Sequence, residues 1–232
     1  MPQPYLAAWT PGEYLHVYNR ACEHNLYFHT DRHRVVFLMK MGYALAVVLD
    51  VLAYCLLPNH WHAFVRLPTV AELRLRLHEQ RTRPLGARER AYLDGRGSYS
   101  AVVAQAFSNF ANAYSSHLRV ATGRRGRLAA QQVRRVRTRD GAWHRAPAAY
   151  VLVNHRKHGL TQPAYPWTSL HAQRRPAWVR HDLLLAHFGG EWELRAYLAD
   201  YLRRRGQAMQ ALDEEVFFGL VAPGTRALQT AH

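Results

Sequence analysis

Two imidazoles stand one residue apart at His60 and His62, inside a run from 56 to 65 that otherwise reads as a buried strand. Side chains alternate across a strand, so His60 and His62 share one face while Trp61, Ala63 and Val65 point to the other. Two neighbouring imidazoles can hold one divalent ion, and an imidazole-plus-oxygen donor set suits a metal with open positions rather than a closed structural zinc site. A pair of satisfied, hydrogen-bonded histidines is the other reading, in a chain that has 15 of them. A second pair, Tyr150 and Asn154, lies four residues apart and therefore on one face of any helix that carries both. The third chemical feature is arginine: Arg119, Arg124, Arg125, Arg127, Arg134, Arg135, Arg137 and Arg139 fall together with no acid before Asp140. Such a run repels itself unless a polyanion relieves it, and guanidinium groups grip phosphate through a planar fork.

The elements that must position these groups follow from periodicity. Residues 13–20 alternate and are rich in aromatic and β-branched types, so they predict a strand, followed by a polar turn over 21–24. Thr30-Asp31 offers a helix cap before Val35, Val36, Leu38 and Met39. Residues 50–57 and 60–67 are two apolar runs separated by Pro58-Asn59, which is turn chemistry for a hairpin. A short helix is expected over 69–81 and a flexible loop over 83–97, where Pro84, Gly86, Gly95 and Gly97 fall. Val102, Val103, Phe107, Phe110, Tyr114 and Leu118 give 98–119 the spacing of a core helix, with Ser108, Asn109 and Asn112 on its solvent side. A strand over 131–138, a turn at Asp140-Gly141 and a helix from Pro147 to Lys157, ended by Gly159, complete the core. Beyond Pro163 come an irregular segment over 165–169, short helices over 182–188 and 191–205, and a tail whose last ten or so residues are expected to be disordered.

The composition agrees with one nucleic-acid-facing domain. The 232 residues are 49% hydrophobic, enough for a packed core, and carry a formal charge of +15, nearly all of it arginine because lysine occurs only at Lys40 and Lys157. A GC-rich coding sequence would favour arginine over lysine, yet it would not produce an excess of base over acid. Cys22 and Cys55 form no Cys-x-x-Cys pair, which argues against a disulfide framework or zinc ribbon. The longest apolar run, near 43–57, is interrupted by Asp50 and is too short for a membrane span, and the first ten residues lack the features of a signal peptide, so a cytoplasmic location is expected.

The segments Tyr-Leu-His-Val-Tyr-Asn-Arg at 14–20, Ala-Tyr-Cys-Leu-Leu-Pro-Asn-His-Trp-His at 53–62 and Tyr-Val-Leu-Val-Asn at 150–154 followed by Lys157-His158-Gly159-Leu160 resemble the single-tyrosine HUH transposases, most of all their REP-associated branch. The likeness runs in order from about 13 to about 197 and takes in Phe107-Ser108-Asn109, Asn112-Ala113-Tyr114, Arg124-Arg125-Gly126, 165–169 and Phe188-Gly189-Gly190.

This resemblance implies an α+β fold, an antiparallel sheet flanked by helices of the ferredoxin or RRM-like kind, as a nuclease domain over 1–165 with a C-terminal helical extension over 166–232. It further implies that His60, His62 and Asn154 hold Mg2+ or Mn2+ and that Tyr150 is the nucleophile. The product would be a 5′-phosphotyrosine and a free 3′ hydroxyl. The substrate would be single-stranded or hairpin DNA, held by Arg20, Lys157 and the arginines from Arg119 to Arg137. Two departures are visible. Residues 128–133 lack the aromatic and basic pattern usual before the last strand, which bears on hairpin contacts and activity, and His155 stands where a proline is common. A non-cleaving DNA- or RNA-binding protein of the same fold is the alternative, and both a monomer and a homodimer that exchanges its tyrosine helix are compatible with the sequence.

Overall fold

Four alternating or apolar segments become strands, and hydrogen bonding sorts them into one antiparallel sheet. In the computed structural model, which describes residues 6–22, 25–129, 131–138, 144–160, 165–171 and 175–208, these are β1 (Tyr14–Arg20), β2 (Asp50–Leu57), β3 (His60–Arg66) and β4 (Arg134–Arg137), in spatial order β2-β3-β1-β4. The helices in chain order are α1 (Asp31–Leu45), α2 (Val70–Glu79), α3 (Ala87–Leu93), α4 (Tyr99–Thr122), α5 (Arg145–Lys157), α6 (His181–Phe188) and α7 (Glu191–Ala208). The fold is α+β, with α1 and α4 on one face of the sheet and α5 to α7 on the other. The strand order is that of the split βαβ arrangement.

Local chemistry starts and stops these elements where the periodicity requires. The Thr30 hydroxyl accepts from the His33 N–H to cap α1. Thr69 and Glu72 form a reciprocal capping box on α2, Ser98 caps α4, and Gly123 ends α4 in the left-handed conformation at φ 65°. Pro58-Asn59 makes the tight turn between β2 and β3. The expected loop over 83–97 contains a helix instead. That stretch carries Pro84, Gly86, Gly95 and Gly97, but Glu89 is buried against Arg83 at 2.5 Å and accepts from the Gly86 N–H at 2.8 Å, and Tyr92 packs into the core, which together hold one short helix. Arg139, the Asp140-Gly141 turn, the end of the 21–24 turn and the expected tail beyond 208 lie outside the described residues.

Two apolar clusters hold the layers. On one face Trp61 meets Phe37 at 5.5 Å and Phe110 at 6.1 Å between ring centres, joining β3 to α1 and α4. On the other, Leu52, Ala53 and Phe64 pack under Tyr150, Val151 and Leu152 of α5, and Leu184, Leu194 and Leu198 of α6 and α7 join the same cluster. The exposed edge of β2 is covered by 165–171: the Leu56 N–H donates to the Trp167 carbonyl at 2.8 Å, and the Tyr54 N–H donates to the Ser169 hydroxyl at 2.9 Å. Among the described residues no helix is long and apolar enough to cross a membrane.

One buried carboxylate ties the sheet to its periphery. Asp50, 3% exposed, lies 2.7 Å from Arg66 and 3.0 Å from Arg76. Truncating it leaves the part-buried Arg76 guanidinium without this carboxylate and Arg66 with Glu72 alone, so Asp50→Ala is expected to cost about 3 kcal/mol of unfolding free energy in a urea titration. Glu72 responds to acid. The hydrogen bond from Arg66, then that from the Thr69 N–H, hold its carboxyl down to about 2 from 4.5. Folding therefore gains from its ionisation in full above about pH 4.5 and loses that gain as the pH falls toward 2. Glu72→Gln should flatten this part of the stability profile.

Candidate functional site

The register of the central strands assembles the site. Tyr18 pairs with His62, Arg20 with His60 and His16 with Phe64, so His16, Tyr18, Arg20, His60 and His62 all lie on the sheet face covered by α5. On that helix Tyr150 sits edge-on to His62 and to His16, each at 5.6 Å between ring centres. Eight residues further along, His158 lies edge-on to His60 at 4.7 Å. Asn154 is four residues from each and shares their stripe on α5, where it is buried; the rings of His60 and His62 are 5.0 Å apart. Tyr150, His60 and His62 are thus brought together, with Asn154 on the helical stripe that faces them.

The histidine tautomers are directed by their neighbours. His60 Nδ1 is 2.7 Å from the Asn59 amide oxygen, which can only accept, so Nδ1 carries a proton and donates it. His62 Nδ1 is 2.8 Å from His16 Nε2, and the two rings stack at 5.1 Å with 9° between planes. Burial, then the proximity of His16, His60, His158 and Lys157, push the His62 pKa well below its ordinary value, so His62 is neutral and able to act as a ligand.

Polar atoms left over mark the centre of the site. His62 Nε2 and both amide atoms of Asn154 are buried with no hydrogen-bond partner among the described residues. Such groups are costly in a core unless something else engages them. Their donor set, imidazole nitrogens with an amide oxygen, fits a hard or borderline divalent cation with open positions. Among the described residues no group of three His, Cys, Asp or Glu side chains is placed to hold an ion, so an ion here would depend on the Asn154 amide.

The remaining expected residues divide between the two faces. Arg20 is exposed beside His60, Lys157 is half-buried in the last turn of α5, and Arg134 faces the same side opposite Tyr18, its guanidinium on the Gln131 amide oxygen at 2.8 Å. Arg135 and Arg137 point to the opposite face. Arg135 bonds the Ala7 carbonyl and lies 4.5 Å from the centre of the Trp9 ring, and Arg137 pairs with Glu13 at 2.9 Å. The arginine run is therefore not wholly without counter-charge, because β1 brings Glu13 across from a distant part of the chain. Arg119, Arg125 and Arg127 are exposed at the end of α4 and in the loop after it, and Arg124 is half-buried there, all away from Tyr150. His155 does not join the site; it stacks on Tyr165 at 5.1 Å with 12° between planes.

Two participants escaped the sequence reading. His16 and Tyr18 lie in a strand whose alternation accounts for them as ordinary pleated residues, and only the pairing of β1 with β3 sets them beside His62. The available signal was their shared parity with Arg20 in the Tyr-Leu-His-Val-Tyr-Asn-Arg strand.

No family model matches the chain, and no curated protein matches it. Among solved structures it is similar to a REP-associated tyrosine transposase bound to a REP hairpin, at 15% identity over 74% of this chain and 84% of that one, with a TM-score of 0.45.

The orphaned amide makes a prediction about stability. Asn154→Leu keeps the branched shape and removes two buried polar atoms that have no partner among the described residues, so it should stabilise the metal-free protein by about 1–2 kcal/mol in urea unfolding. A loss of stability instead would mean that the amide is satisfied within the fold.

Proposed function

We propose that this chain is a metal-assisted DNA nuclease and strand transferase that works through Tyr150 on single-stranded or hairpin DNA. The observation that carries the reading is the convergence of Tyr150, Asn154, His60 and His62 on one buried patch of a strongly basic protein. The ordered motifs shared with single-tyrosine HUH transposases agree with it. His60 and His62, through Nε2, and Asn154, through its amide oxygen, would hold Mg2+ or Mn2+. The bound ion supplies Lewis acidity that polarises a phosphate and offsets its developing charge.

The chain's own groups do the rest. Tyr150 brings its phenol oxygen to phosphorus; the new oxygen–phosphorus bond forms as the bond to the 3′ oxygen breaks, the phenol gives up its proton, and the 3′ oxygen takes one up. The result is a 5′-phosphotyrosine and a 3′ hydroxyl, which can attack in turn to rejoin a strand. Arg20, Arg134 and Lys157 line the approach on the Tyr150 side of the sheet and would hold the flanking phosphates. His16 holds the His62 ring by its hydrogen bond and stack, so that His62 Nε2 keeps its direction.

One observation favours a second reading, a DNA-binding protein that does not cut. Tyr150 is only 1% exposed, so a phosphate reaches its oxygen only if the cover over it moves. End-labelled hairpin DNA incubated with the protein and Mn2+ separates the two. A covalent adduct on a denaturing gel, absent in Tyr150→Phe and in chelator, is the expected result; binding without any adduct would leave the second reading. His16→Ala should weaken Mn2+ binding at least tenfold in calorimetric titration. An unchanged Mn2+ affinity would show that His62 needs no such support.

A further inference from the structure

The docking of α5 settles where Tyr150 points, and apolar packing alone leaves that direction open. Next to Tyr150 the buried side of the helix is small, with Ala148 and Ala149 in the same cluster as Leu52, Ala53 and Phe64. Burial of such surfaces is non-directional, so it does not by itself fix the roll of a helix. Directional contacts must do that.

The start of α5 carries them. His144 stands at the N-cap position, where a side chain ordinarily accepts from a first-turn N–H, yet its side chain makes no such bond. It is buried instead, 6% exposed, with Nδ1 3.0 Å from the Thr138 hydroxyl oxygen just beyond β4. That hydroxyl donates its one proton to the Tyr14 carbonyl at 3.1 Å, so it accepts from His144, and Nδ1 carries a proton.

Rings enclose His144 on its other sides. Tyr14 of β1 lies edge-on at 4.4 Å between centres, His187 of α6 stacks at 5.4 Å with 25° between planes, and Phe64 of β3 is tilted at 6.2 Å. Tyr14 is also edge-on to His187 at 4.8 Å, so the three rings brace one another. Burial, then Arg145 and Arg66, lower the His187 pKa, so at neutral pH it meets His144 uncharged. Beside them Arg145 donates from Nε to the His187 carbonyl at 2.8 Å. Groups from β1, β3, α6 and the end of β4 thus converge on the first residue of the tyrosine helix, and none of them is among those expected to hold the ion.

Tyr150 stands six residues beyond His144, about 9 Å along the helix axis. A change in the roll of the first turn is carried to it by the backbone. Tyr150 has little latitude, because its ring sits edge-on to both His16 and His62 at 5.6 Å.

We propose that His144 is a positioning residue for Tyr150: its hydrogen bond to Thr138 and its seat between Tyr14 and His187 fix the roll of the first turn of α5, and through it the direction of the Tyr150 oxygen. This role rests on the reading of Tyr150 as the nucleophile, and His144 acts through the helix alone.

A 3-fluorotyrosine placed at position 150 of the full-length protein separates the seat of Tyr150 from its chemistry, since its 19F resonance is shifted by the rings of His16 and His62. His144→Ala removes ring and hydrogen bond, Thr138→Val removes the hydrogen bond and leaves the ring, and His144→Asn restores a donor near the place of Nδ1. With circular dichroism like that of wild type, His144→Ala is expected to move the resonance toward its value in urea. Thr138→Val should move it the same way, and His144→Asn should bring it part of the way back. In the adduct assay at saturating hairpin DNA, His144→Ala should slow adduct formation about tenfold or more while DNA affinity stays within about twofold of wild type.

A resonance unmoved in either His144→Ala or Thr138→Val, a shift that His144→Asn does not reduce, or an adduct rate in His144→Ala equal to that of an active wild type would overturn the assignment. Should His144→Ala not fold, Thr138→Val decides by the same resonance. An adduct in wild type with the resonance unmoved in the variants retains the chemistry and rejects His144. No adduct in wild type, with the resonance moved in His144→Ala and Thr138→Val and recovered in His144→Asn, rejects cutting and retains His144 as the residue that seats Tyr150.

Discussion

The antiparallel register between β1 and β3 is the constraint on which the site depends. It sets Tyr18 opposite His62 and Arg20 opposite His60, and thereby collects His16, Tyr18, His60 and His62 on one face under α5. A slip of one residue in either strand would send its members to the other face, because the side-chain period along a strand is two. What prevents the slip is the opposite face: Leu15, Val17, Trp61, Ala63 and Val65 are all nearly fully buried there, and a one-residue slip would turn the members of the slipped strand out of that core. The hydrophobic effect acting on one face thus fixes polar chemistry on the other.

The two faces then differ in character on a shared framework. Under α5 the side chains are aromatic and imidazole, closely packed, with unsatisfied polar atoms at His62 and Asn154 that the fold retains at a cost to stability. Over α4 the surface is open and cationic. A tight face suits positioning of reacting atoms, which demands that rings be held from several sides, as His62 is by His16, Tyr18, His60 and Tyr150. An open face suits recognition of a long polyanion, which demands area and charge. The short edge strand β4 is the boundary, and its alternating arginines serve both sides.

Much of this was legible in the chain. Alternation in 13–20 and 60–67, the Pro58-Asn59 turn, the Ser98 and Gly123 limits of α4 and the apolar spacing of α4 all correspond to observed elements, because each is decided by residues close in sequence. The shared faces of His60 with His62, and of Tyr150 with Asn154, were legible for the same reason: strand and helix periods are local properties. The helix α3 was not, since what holds it, the buried Arg83–Glu89 pair and the packing of Tyr92 into the core, outweighs the turn-forming residues around it. The pairing of Arg137 with Glu13 was hidden likewise, as its partners are distant in the chain.

The sequence by itself determined the residue types that can do the chemistry, the faces on which they fall and the cationic character of the protein, because composition and period need no partner. Tertiary structure decided what those faces meet. Only the strand register brings His16 to His62, only the docking of α5 lays Tyr150 and Asn154 over the histidine pair, and only the lean of α4 onto α1 opens a groove beside the arginines. Each of these is a contact between segments far apart in the chain, settled by which apolar surfaces bury one another best, and no local pattern encodes that choice.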